Sequence, residues 1–164
     1  MKNIKYCKII LETLLLFIIS FYFKTDVFAI ANPWVDCQDN LSCASEKAGF
    51  NFPLRVKNYS VRAMDNMIEI AFPLNKKRNV TIRKTLEYDG NSDISGVYET
   101  YPVNKTITLK NGVIVNVRGI KDKFYVINFA ASTGYYSAYS VQGLKLKDIE
   151  HLYALIAEAE TVKN

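Results

Sequence analysis

The sequence predicts an α+β domain: one antiparallel sheet of about six or seven strands, arranged as hairpins in a meander, with a short N-terminal helix and an amphipathic C-terminal helix packed on it. Three observations carry this. Between Val56 and Val141, β-branched and aromatic residues alternate with polar ones and are cut by short turn signals. Residues 39–48 read as a helix that opens on Asp39 or Asn40 as N-cap and closes at Gly49. Ile149, Leu152, Tyr153 and Ile156 recur at three- and four-residue steps within a helix over about 147–160. Of the 164 residues, 1–29 read as an export segment, and 30–164 suit one domain with its own core. A hydrophobic share of 49% against 23% charged excludes general disorder.

The elements follow in order. Asn32-Pro33-Trp34 forms an extended arm, and after the first helix Phe50, Phe52 and Pro53 dock the helix tail on the core. A two-residue turn at Asp65-Asn66 sets Met64 opposite Met67, Arg62 opposite Glu69, Val61 opposite Ile70 and Tyr59 opposite Phe72. Charges meet on one face and apolar groups on the other, which supports that register. A third strand covers about Val80–Leu86, with Val80, Ile82 and Lys84 on one face and Thr81 and Arg83 on the other. A polar segment from Tyr88 to Pro102 interrupts the sheet. The next hairpin turns through Lys110-Asn111-Gly112, because only a three-residue loop places Ile107 and Leu109 on the same face as Val113, Val115 and Val117. Two further strands, about 123–131 and 135–141, turn at Ser132-Thr133-Gly134.

Residues 1–29 have the order of a secretory signal: cationic Lys2, Lys5 and Lys8, an apolar stretch from Thr13 to Phe23, then small residues at Val27-Phe28-Ala29 or Ala29-Ile30-Ala31. The apolar stretch is short for a spanning helix, which needs roughly 20 residues; an uncleaved anchor is the competing reading. The expected location is secreted or extracytoplasmic. Without this segment, 17 basic and 14 acidic side chains remain, a formal +3. Such a charge suits weak attraction to an anionic envelope polymer or lipid and is too small to indicate nucleic acid. Cys7 leaves with the segment. Cys37 in the loop before the first helix and Cys43 in its first turns are placed to form a disulfide, the alternative being two thiols.

The residues that carry chemistry are few. His151, the only histidine, falls opposite the apolar face of the last helix and is expected in solvent. No nucleophile elbow, phosphate loop or paired-histidine motif is present, and no cofactor or metal is implied. Asp89, Asn91 and Asp93 match three positions of a calcium loop, but Ile94 stands where glycine is needed and Thr100 where glutamate is needed. Lys76, Lys77 and Arg78, with Arg83 and Lys84, form a basic patch that is either a solvated turn or a contact for an anionic surface. Eleven tyrosines are unusual. They suit half-buried strands and binding surfaces alike, and Tyr98 and Tyr136 are the candidates for an exposed binding face.

Asn32-Pro33-Trp34, Ala48-Gly49-Phe50, Met67-Ile68-Glu69-Ile70, Asp93-Ile94-Ser95-Gly96 before a tyrosine, and Gly134-Tyr135-Tyr136-Ser137 before the final helix occur in an order that resembles a family of small exported bacterial domains of unknown function in Gram-positive anaerobes. Related domains form the extracytoplasmic C-terminal part of anti-sigma-factor-like proteins. The resemblance implies an extracytoplasmic domain and supplies no catalytic residues; with only a few residues before the apolar stretch, it does not carry an anti-sigma role to this chain. The expected function is a non-enzymatic binding or sensing module at the cell envelope, with an unidentified protein or an anionic polymer or lipid as partner. The alternatives are a carboxylate-based hydrolase using Glu87, Asp89, Asp93 and Glu99, and a structural envelope component.

Overall fold

The computed structural model describes residues 32–87 and 93–161. The expected export segment, Tyr88, Asp89 and Asn91 lie outside them. The described residues from Pro33 onward belong to one compact unit. The elements are β1 (Val35–Asp36), α1 (Leu41–Ala48), β2 (Ser60–Met64), β3 (Met67–Asn75), β4 (Arg78–Thr85), β5 (Val103–Thr108), β6 (Ile114–Ile120), β7 (Lys123–Ala131), β8 (Gly134–Leu144) and α2 (Leu146–Thr161). All eight strands join one antiparallel sheet in the order β1-β2-β3-β4-β8-β7-β6-β5. The eighth strand is β1. It is two residues long, too short for an alternating signal, and the arm is drawn in by Cys37 N–H donating to Val61 O at 3.0 Å.

The expected meander is in fact two. β1–β4 and β5–β8 each run strand to neighbouring strand, and β4 pairs with β8, Ile82 opposite Ala138. The segment between β4 and β5 carries the chain from the middle of the sheet to its far edge. The first hairpin has the expected register: Arg62 opposite Glu69, Val61 opposite Ile70, Met64 opposite Met67. The loop at 110–112 has three residues, with Leu109 N–H donating to Val113 O and Gly112 at φ +83°, the left-handed conformation that this loop needs. β4 starts at Arg78, two residues earlier than expected, and β8 runs on to Leu144.

One sheet face carries the core. Val61, Ile68, Ile70, Phe72, Val80, Ile82, Val115, Val117, Ile127 and Ala138 cluster there with Ala44 and Ala48 of α1 and Ile149, Leu152 and Ile156 of α2. Each such Val, Leu, Ile or Phe side chain contributes about 1.5–3 kcal/mol on leaving water. α1 opens on Asn40, whose Oδ1 accepts from Ser42 N–H and Cys43 N–H, and exits at Gly49. Cys37 and Cys43 are disulfide-bonded with Cα atoms 5.8 Å apart, which ties the first turns of α1 to the loop leaving β1.

Asp148 fastens α2. It lies in the first turn, and its Oδ2 accepts from Lys145 N–H at 2.9 Å while the Arg78 guanidinium sits 3.3 Å away. Arg78 also donates from Nε to Gly143 O at 3.0 Å. The buried carboxylate thus completes a helix start and neutralises a half-buried cation. Asp148→Ala is expected to lower unfolding stability by about 2 kcal/mol, read as a drop in the urea midpoint with an unchanged denaturant slope. An unchanged midpoint would remove Asp148 from this role.

Candidate binding face

The second face of the sheet is polar because alternation in β2, β3 and β4 brings Arg62, Glu69 and Arg83 into one cross-strand row. Glu69 is 6% exposed. Its Oε1 accepts from Arg62 Nε at 2.6 Å and its Oε2 from Arg83 Nε at 2.7 Å. The Trp34 ring covers the row, with the Arg62 guanidinium 4.7 Å and that of Arg83 5.2 Å from its centre. The Glu69 hydrogen bond holds Arg62 above its ordinary pKa, against the opposing effect of burial. One carboxylate serves two guanidinium groups, and a second acid brings the row to formal neutrality. Asp36, opposite Arg62 in the ladder, is the nearby counter-charge, and its Oδ1 accepts from Gln38 N–H. Among the described residues, neither Nη of Arg62 and not Nη2 of Arg83 meets an acceptor. The Arg62 side chain is 42% exposed and that of Arg83 16%, so Arg62 is the more open to solvent.

A strap formed by residues 93–97 lies across the β8–β7–β6 half of this face. Arg83 Nη1 donates to Ile94 O, Ile94 N–H donates to Ser137 Oγ, and Ser137 Oγ donates to Asn128 Oδ1. Arg118 Nη2 pairs with Asp93 Oδ2 and donates to Val97 O. Beyond the strap Tyr101 stacks on Tyr125 at 5.3 Å, and Tyr98 stands 93% exposed. Burial, then the Glu99 charge, lifts the Tyr101 phenol above its ordinary 10.0, with Arg118 opposing.

The expected binding residues do not come together. Tyr98 is exposed, and Lys76 and Lys77 are exposed at the β3–β4 turn. Tyr136 is 1% exposed, a correction: its register opposite Lys84 and Phe129 turns it to the core. There it stacks on Phe129 at 5.3 Å and meets Phe52 edge-on, its hydroxyl 2.7 Å from Thr133 Oγ1. Tyrosine occupies both 135 and 136, so the sequence does not show which faces in. Arg78 is also corrected, since Gly143 and Asp148 engage it. The basic patch divides further: Arg83 belongs to the polar row, and Lys84 is buried on the core face, its Nζ donating to Asn51 O at 2.8 Å.

The remaining candidate chemistry disperses. His151 is exposed, as expected. Asp93 is spent on Arg118 and Ser95 N–H, Glu87 accepts from Asn66, and Glu99 is exposed. No cluster of three or more metal-ligating side chains occurs among the described residues, and no helix among them is long and apolar enough to cross a membrane. Sequence reasoning missed the row itself, although the Arg62–Glu69 pairing was half of it; adding Arg83 needed the β3–β4 register. In comparisons with family models, curated proteins and solved structures, nothing matches the chain.

Gly96 has φ +71°, and a Cβ there would lie 2.4 Å from Arg83 Nη1, whose position Glu69 and Ile94 hold. Gly96→Ala is expected to cost about 2 kcal/mol and to shift the emission of Trp34, the single tryptophan; unchanged emission and stability would mean that strap and row are not coupled. Tyr101 has its own pH signature. A folded-state pKa above the unfolded one leaves its contribution intact below the ordinary 10.0 and removes it as pH rises through the higher folded value. Urea midpoints measured across that alkaline range should fall less steeply for Tyr101→Phe than for the parent.

Proposed function

We propose that this chain is an exported, non-enzymatic recognition module that engages an anionic component of the cell envelope through the arginine row of its polar face. One observation carries the reading: Glu69 and Trp34 preorganise Arg62 and Arg83 while, among the described residues, both Nη of Arg62 and Nη2 of Arg83 are left without acceptors. Guanidinium edges of this kind suit carboxylate or phosphate oxygens. Exposed Lys76 and Lys77 add positive charge, and Tyr98 offers a rigid ring with a polar tip. The signal-like start of the chain and its resemblance to exported domains favour the envelope as the place of action. The hydrolase reading has less to support it, because Asp93 and Glu87 already have partners and Glu99 stands in solvent.

The test compares binding of the protein to phosphatidylglycerol vesicles, phosphatidylcholine vesicles and anionic wall fragments. Binding to at least one anionic target should exceed that to the neutral vesicles and fall steeply with salt. Arg62→Ala should weaken it about fivefold, with a smaller effect from Lys76→Ala. Equal binding to neutral and anionic targets, or none to any, would reject the proposal.

A further inference from the structure

The two edges of the sheet differ. The β1 edge is two residues long and is blunted by the disulfide-bonded turn that follows it. The β5 edge is a regular six-residue strand, paired along its length to β6, with Asn104, Lys105, Thr106 and Thr108 exposed. Among the described residues nothing pairs with its outer side. Such an edge is a template for another strand.

The hydrogen-bond phase of that edge follows from the hairpin. Leu109 N–H bonds to Val113 O, so alternate residues Ile107, Lys105 and Val103 turn their amides towards β6. The amides of Asn104, Thr106 and Thr108 therefore point outward. A second copy approaching antiparallel about a two-fold axis can use these groups in few registers. Centring on Thr106 sets Thr106 opposite Thr106, Asn104 opposite Thr108, and Lys105 opposite Ile107, with six backbone bonds and no like charges facing. Of the two neighbouring registers of the same phase, the one centred on Lys105 opposes Lys105 to Lys105 and is repulsive, and the one centred on Ile107 pairs only Thr106 with Thr108, for four backbone bonds in place of six. Lys105 does not block the edge, because its Nζ is drawn back over the sheet to 5.8 Å from the Phe124 ring.

A second observation converges on this register. A cleft of about 350 Å³ opens beside the β5–β6 hairpin, with Leu109, Tyr153, Ala154 and Ala157 as its apolar lining and the Lys110–Glu150 ion pair at its rim. In the Thr106-centred register, Val103 of the second copy comes opposite Leu109 on the core face, at that lining. We propose that two copies of this chain join edge to edge through β5, in the antiparallel register centred on Thr106, with Val103 of each copy seated at the cleft of the other. The shared strands are short and the interface is small, so the association is weak.

The test uses the full-length chain with Cys7→Ser, in which the remaining cysteines are bonded to each other. Thr106→Cys, Asn104→Cys and Lys105→Cys are each added and oxidised identically. Across the axis two Thr106 Cα atoms lie about 5.5 Å apart, within disulfide reach, whereas two Asn104 Cα atoms lie roughly 15 Å apart. Thr106→Cys should give several times more cross-linked dimer than either control. Equal yields, or an excess at Lys105→Cys, would overturn the register. Thr106→Pro removes an outward N–H that β6 does not use, together with the Thr106 Oγ1–Asn116 Oδ1 hydrogen bond, so it should raise the dissociation constant at least about tenfold by sedimentation equilibrium, whereas Thr106→Ala, which loses only that side-chain bond, should associate like the parent. Association as strong as the parent's in Thr106→Pro would overturn the proposal. So would a parent that stays monomeric into the millimolar range, including one whose edge binds an unrelated extended peptide.

Discussion

The ladder between β4 and β8 is the constraint on which the rest of the molecule depends. It joins two four-stranded meanders through strands that are far apart in sequence, and its register decides how the faces of the two halves match. Ile82 opposite Ala138 and Lys84 opposite Tyr136 place one set of residues against the helices. Arg83 opposite Ser137 places the other set under the strap. A slip of one residue would exchange core and polar face in one half of the sheet relative to the other. The helix-covered core holds that register, since Ile82 and Ala138 are fully buried and a slip would bring Arg83 into their place.

The polar face is organised by arginines held by acidic side chains, Arg62 and Arg83 by Glu69 and Arg118 by Asp93. Arg83 touches Glu69, the Trp34 ring and Ile94 O, so it connects the N-terminal arm to the strap from the opposite half of the chain. Arg118 plays the corresponding part at the strap's other end, through Asp93 and Val97. A buried carboxylate between two cations is a poor source of net stability compared with an apolar core, but it admits few alternative arrangements. Here it leaves guanidinium groups of fixed geometry under an aromatic cover, a better basis for recognition than a set of flexible lysines.

The stabilising devices are unevenly distributed around this frame. The disulfide, the α1 caps and the Arg78–Asp148 contact secure the first edge, α1 and the start of α2. The β5 edge has a complete ladder on its inner side and exposed amides on its outer side. Burying the single-stranded edge of a sheet requires either covering structure or a partner strand, and the described residues supply no cover.

Much of the architecture was legible from local patterns. Alternation, turn chemistry and the spacing of Ile149, Leu152 and Ile156 act over a few residues, so the class of fold, the register of the first hairpin, the three-residue loop at Gly112, the helix ends and the exposed His151 could all be read in advance. The cysteine spacing and the helix start likewise brought Cys37 and Cys43 within reach of each other. What needed the tertiary structure was long-range: the pairing of β4 with β8, the added strand β1, and the convergence of Trp34, Arg62, Glu69 and Arg83 from four stretches of chain. Tyr136 and Arg78 show why. Adjacent tyrosines carry no mark of which one turns inward, and a basic residue beside two exposed lysines carries no mark of a carboxylate 70 positions away. Such choices are made by register and burial across the whole sheet, where the free energy of placing a side chain depends on neighbours that only the folded chain brings near.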